Sequence, residues 1–125
     1  MVDELIARLE AAGYRDINAA FHPVFENVDP GGTRLTELAA RTGMTHQSMG
    51  ELVNALEQRG YLERRSDPTD GRVRLVCLTA KGRQLVRRAV REIKAIEAVW
   101  NARFEAAGFA DFRAALEASL AMEQP

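Results

Sequence analysis

Residues 35–64 read LTELAARTGMTHQSMGELVNALEQRGYLER, and their periodicity decides the fold. Leu35, Leu38 and Ala39 recur at helical spacing, and Gly43 stops a first short helix at about Thr42. Thr45 then stands where a capping side chain belongs. Met49, Leu52, Val53 and Leu56 follow at i, i+3, i+4 and i+7, and Gly60 ends the second helix, whose other face is polar. Two short helices separated only by Gly43, Met44 and Thr45 form a helix-turn-helix candidate, because so short a link allows a sharp crossing.

Working outward, residues 61–65 and 73–78 have strand character, and the turn-rich stretch between them contains Asp67-Pro68 and Asp70-Gly71. The pattern predicts a β-hairpin with a projecting loop, a wing, rather than a tight two-residue turn. Thr79 caps a long helix to about residue 107, with Val86, Val90, Ile93, Ile96, Trp100 and Phe104 as an apolar stripe. Gly108 breaks it, and residues 110–122 repeat the pattern with Phe112, Leu116 and Leu120. On the amino-terminal side, residues 3–12 put Leu5, Ile6 and Leu9 on one helical face and stop at Gly13. Asn18 is placed to cap a second helix to about Asn27, which Pro23 should kink or shorten, and residues 29–32 (Asp-Pro-Gly-Gly) then read as a turn. The expected class is mainly α with a small β-hairpin, an α+β winged helix-turn-helix with flanking helices.

Length and composition agree with one domain over residues 1–125. Apolar residues make up 46% and charged ones 28%, which excludes a disordered, collagen-like or disulfide-stapled chain. The single cysteine, Cys77, has no internal partner, and no CxxC or HExxH cluster offers metal ligands, so neither a metal nor a catalytic cofactor is expected. Met1 is followed by two acids before the first apolar pair, the reverse of a secretory start, and the longest apolar runs fall far short of the roughly 20 residues a bilayer span requires. A cytoplasmic location without a membrane partner is the expectation.

The formal net charge of −1 conceals an uneven distribution. Residues 33–91 hold twelve basic against six acidic side chains, a net +6, and the rest of the chain holds five against twelve, a net −7. A basic middle between acidic flanks suits one surface that meets a polyanion, although basic stretches are also ordinary solvated helix faces. The stripe on the long helix exceeds what so small a domain needs for its own core. It therefore predicts a homodimer built from residues 1–13 and 84–122 beside a lobe at 33–83.

These residues resemble the MarR-type (multiple antibiotic resistance) winged-helix transcriptional regulators. The likeness runs through Leu35-Thr-Glu-Leu-Ala39, Gly43-Met-Thr45, Leu52-Val-Asn-Ala-Leu56, Arg59-Gly-Tyr-Leu-Glu-Arg64, Asp67-Pro-Thr-Asp-Gly-Arg72 and Leu78-Thr-Ala-Lys-Gly82, in the family's order. It implies a sequence-specific double-stranded DNA-binding regulator, a ligand-responsive repressor, that grips a pseudo-palindromic operator as a dimer and catalyses nothing. The second helix would enter the major groove, where base edges carry a unique donor and acceptor code. Its polar face holds Thr45, His46, Gln47, Ser48, Gly50 and Asn54, with Glu51 among them. Gln47 and Asn54 are amides suited to adenine, Gly50 permits close approach, and Thr45 and Ser48 suit capping and phosphate contact.

The resemblance also assigns Arg72 to the minor groove, with Asp70 fixing the loop and the guanidinium. Arg74, Arg65 and Arg34 complete the DNA-binding set. Family members commonly take small aromatic or lipophilic effectors between the dimer helices and the DNA-binding lobe. Here Tyr14, Phe21, His22, Phe25 and Trp100 are the candidates, although aromatics at helical spacing are also the signature of plain core. Some relatives sense oxidants through a cysteine near the amino terminus, but Cys77 lies on a wing strand without a nearby thiol. The competing reading is a winged helix that binds only protein, which would replace the polar face and arginine-tipped wing by apolar surface.

Overall fold

The computed structural model describes residues 2–106 and 116–117. Helix α1 spans Val2–Ala11, α2 His22–Asn27, α3 Leu35–Thr42, α4 His46–Gln58 and α5 Ala80–Ala106; strands β1 (Leu62–Ser66) and β2 (Arg74–Leu78) lie between α4 and α5. The expected helix at residues 110–122 lies outside the described residues except for 116–117, which are helical.

Local chemistry explains most boundaries. Gly43, at φ 69°, closes α3 in the left-handed region where a Cβ is disfavoured. Thr45 caps α4 by accepting the Ser48 N–H at 3.0 Å. Thr79 plays the same part for α5, accepting from the Gly82 N–H at 3.1 Å while its hydroxyl donates to the Gly60 carbonyl at 2.5 Å. Gly82 has a different reason to be glycine. A Cβ there would lie 2.2 Å from the Tyr61 carbonyl oxygen, so the start of α5 can approach the root of the wing only without a side chain.

Of the two expected effects of Pro23, the structure shows the shorter helix and not the kink. Asn18 caps a short 3-10 turn at Ala19–Phe21, and α2 starts afresh with Pro23 in its first turn, where the missing N–H costs nothing. At the other end of α2, Arg41 donates to the Asn27 carbonyl at 2.6 Å and to Asp29 at 2.8 Å and Glu37 at 2.7 Å. That pairing holds the Asp29 carboxyl below the usual carboxylate range.

The antiparallel hairpin pairs Leu62 with Leu78, Arg64 with Val76 and Ser66 with Arg74. Tyr61 and Val73, expected in the strands, fall just outside them, because the Tyr61 N–H is taken by Leu56 and Val73 closes the loop with Asp67 and Asp70. The sequence reading also missed a third participant. Thr33 exchanges two backbone hydrogen bonds with Val76, at 2.9 and 2.8 Å, on the free edge of β2.

A single apolar cluster joins Leu38, Met49, Val53, Leu56, Leu62 and Val76 of the winged lobe to Leu5 and Leu9 of α1 and Leu85 and Ile96 of α5. The α5 stripe is therefore divided. Ile96 is fully buried and Leu85, outside the predicted stripe, joins it, whereas Val90, Trp100 and Phe104 are 45%, 44% and 42% exposed.

Candidate nucleic-acid interface

Helix α4 buries Met49, Val53 and Leu56 and turns its other side to solvent. His46, Gln47, Ser48, Glu51 and Asn54 are exposed there, and Gly50 is half-buried. Glycine at position 50 answers no internal need. A Cβ would meet only Leu35 Cδ2 at 3.6 Å, an ordinary contact, although glycine inside a helix costs about 0.5–1 kcal/mol relative to alanine. Asn54 does not stand free. Arg64, reaching over from β1, donates to its Oδ1 at 2.9 Å and to Glu57 at 3.3 Å. Arg64 escaped the sequence reading because its role depends on the α4 to β1 packing.

The wing is a folded loop. Asp67 accepts from the Thr69 N–H at 2.9 Å and hydroxyl at 2.7 Å, and these donors hold its carboxyl below the usual range. Asp70 accepts from the Arg72 N–H at 3.1 Å and Nε at 3.4 Å. The Arg72 side chain is nonetheless 93% exposed, a cation presented outward on a tethered backbone. Arg74 and Arg34 are exposed as well, and Arg65 is paired with Glu63. Strand alternation sets Arg65 on the opposite face of the hairpin from Arg64 and Arg74.

The α4 to β1 turn is pinned from several sides. The Tyr61 hydroxyl donates to Asp16 at 2.7 Å, Arg59 donates to the Asp16 carbonyl at 3.1 Å, and Lys81 donates to the Arg59 carbonyl at 2.8 Å. Burial, together with the Asp16 carboxylate, pushes the Tyr61 phenol above its ordinary range.

Behind this turn, α1, α2 and α5 line a half-open apolar cavity of about 220 Å³ walled by Leu5, Leu9, His22, Phe25, Leu85 and Ile93. His22 faces Glu26 there at 3.3 Å. Of the other aromatic candidates, Phe21 is buried beneath Arg59, Tyr14 packs half-buried on the core, and Trp100 stands exposed against Phe104. Cys77 is half-buried, and a Cβ on Gly32 would lie 2.7 Å from its sulfur.

The family model described as MarR family matches residues 22–73, from the start of α2 to the end of the wing loop, just short of β2. Over 86 residues, 69% of this chain, the sequence is 34% identical to the HTH-type transcriptional repressor Rv2887 of Mycobacterium tuberculosis. Its helix-turn-helix and wing loop are thus similar to those of the MarR family. The chain spans 62% of that relative's length. Among solved structures, an S. aureus MepR variant bound to an oligodeoxyribonucleotide is 20% identical, with a TM-score of 0.68 over 98% of this chain and 88% of that one. CouR of Rhodococcus jostii, bound to p-coumaroyl-CoA, is 23% identical, with a TM-score of 0.66 over 99% of this chain and 85% of that one. At such identities the likeness is one of fold, and it extends over the described helices as well as the wing.

Proposed function

We infer that the chain is a transcriptional regulator that binds double-stranded DNA in a sequence-specific way as a symmetric pair, and that it acts as a repressor in the cytoplasm. The observation that carries this reading is Arg72. A 93% exposed guanidinium tethered to Asp70 contributes almost nothing to folding, since exposed ion pairs are worth about 0–1 kcal/mol, but it is pre-positioned for an external anion. A narrow minor groove provides that potential, and α4 with its exposed polar face would occupy the adjacent major groove. The match to the family model and the repressor name of the 34%-identical relative support the same assignment. Among the described residues no group of His, Cys, Asp and Glu is arranged to hold a metal, and no helix is long and apolar enough to cross a membrane. The test is capture of fragments of the source genome by purified protein, followed by fluorescence anisotropy at several salt concentrations. A retained fragment bound well above scrambled DNA is expected, and equal affinity for both would defeat the reading.

The α1, α2 and α5 cavity supports a small apolar effector as the ligand that relieves repression. At about 220 Å³ it is below the roughly 300–1,000 Å³ of drug-sized sites, which favours an aromatic or lipophilic body of about one ring. His22 and Phe25 would flank it. Thermal-shift screening of one-ring aromatics should find a stabilising compound that also lowers affinity for the captured fragment.

A further inference from the structure

We propose that Arg64 is a specificity-determining positioning residue, which fixes Asn54 as a hydrogen-bond donor and so makes it select guanine over adenine in the operator. The proposal rests on the DNA-binding reading above. Its physical basis is the donor inventory of the two groups. A guanidinium only donates, so the atom of the Asn54 amide that lies 2.9 Å from Arg64 must be the oxygen. The Arg64 side chain is itself only 29% exposed and is held by the Glu57 carboxylate at 3.3 Å, one turn further along α4. In the hairpin it is paired with Val76, which is 2% exposed, so Arg64 rises from the face of β1 that packs on the lobe.

The consequence concerns which base edge the exposed end of Asn54 fits. Adenine is read by an amide in a bidentate way, the oxygen accepting from N6 while the nitrogen donates to N7. In this chain the bond to Arg64 turns that oxygen toward β1 and takes one of its two lone pairs, so the N–H groups form the end of the amide directed away from Arg64. Guanine presents N7 and O6, both acceptors, to such a group. Gln47 differs, because its exposed amide has no partner among the described residues and keeps both halves available for adenine. The two amides of α4, equivalent by residue type, therefore read different bases.

Selection from random duplexes with the full chain, followed by sequencing, tests this, with circular dichroism melting to verify each variant's fold. The expected parent profile contains one base pair per half-site where guanine is preferred over adenine by roughly fivefold or more, a preference that Asn54→Ala abolishes. Arg64→Met frees the amide oxygen and should move that position toward adenine, and Arg64→Lys, still donor-only, should retain guanine. A merely structural role would lower affinity for all sequences alike without reordering the bases. Adenine preferred at the Asn54-dependent position in the parent, or an unchanged base order in Arg64→Met, would overturn the proposal. Should Arg64→Met fail to fold, the parent and Asn54→Ala profiles decide it: guanine lost on Asn54→Ala upholds it, and no Asn54-dependent guanine position overturns it. A parent protein that selects no sequence at all would refute the DNA-binding reading itself, an outcome distinct from a wrong base.

Discussion

Arg72 and Arg74 carry the same charge two residues apart, yet their losses are expected to differ. Arg72→Ala should weaken operator binding by roughly 1–3 kcal/mol and reduce any preference for AT-rich flanks, because it removes a groove contact. Arg74→Ala should weaken all sequences about equally and lower the salt slope by about one unit, as loss of a phosphate contact does. Anisotropy titrations on operator and scrambled duplexes over a salt series separate the two. Parent-like operator affinity for Arg72→Ala would turn the wing tip into an ordinary solvated loop. Gly50 supports a sharper contrast. The space beside it accepts a methyl group, so Gly50→Ala is expected to raise stability by about 0.5–1 kcal/mol in urea melts while reducing DNA affinity. If both quantities rise, close approach to DNA is not why glycine stands there.

Between α4 and β1, Tyr61 makes the fold sensitive to alkali. Its phenol is held above the usual range, so the stability it contributes is fully present below the unfolded value of about pH 10 and is lost as pH rises toward the higher folded value. Urea midpoints of the parent should fall on going above about pH 10. Tyr61→Phe should start lower, for want of the Asp16 bond, and lose this component of the fall. An identical pH dependence in both proteins would contradict the assignment. This same turn marks the limit of what could be read in advance. Periodicity and caps located α3, α4 and the start of α5, since Thr45, Gly43 and Thr79 act through neighbours in sequence. The Thr33–Val76 bridge, the Arg64 bond to Asn54 and the Asp16 anchor join residues 43, 10 and 45 positions apart, and nothing local announces them. In sequence, residues 18–27 look like one helix kinked or shortened by Pro23, because the 3-10 turn before it differs from an α-helical turn only in hydrogen-bond register.

For the molecule as a whole, α5 leaves Val90, Trp100 and Phe104 more than two-fifths exposed, an apolar surface that a lone protomer would hold in water at a cost. Twofold pairing through this helix and α1 is the expected remedy. Sedimentation should find a dimer at micromolar concentration, and Trp100→Glu should shift it toward monomer and weaken DNA binding in parallel. Two recognition helices so related would enter successive major grooves, which places half-sites about one helical turn, roughly 10 base pairs, apart. A monomer that binds the operator at full affinity would sink both expectations.

The Thr33–Val76 bridge divides the hairpin in time as well as in space. At Val76, β2 is hydrogen-bonded on both edges, the Val76 N–H to Thr33 and its strand neighbours to β1, so the strand comes away from the lobe only when both sets of bonds break. Around Gly71 and Arg72 the peptide groups are exposed and held mainly by Asp70, and they open without disturbing the core. Deuterium uptake should therefore be slow at Val76 and fast at the tip. A tip whose amides open independently of its root would let one guanidinium adjust to grooves of unequal width from site to site, while the register of α4 stays unaltered.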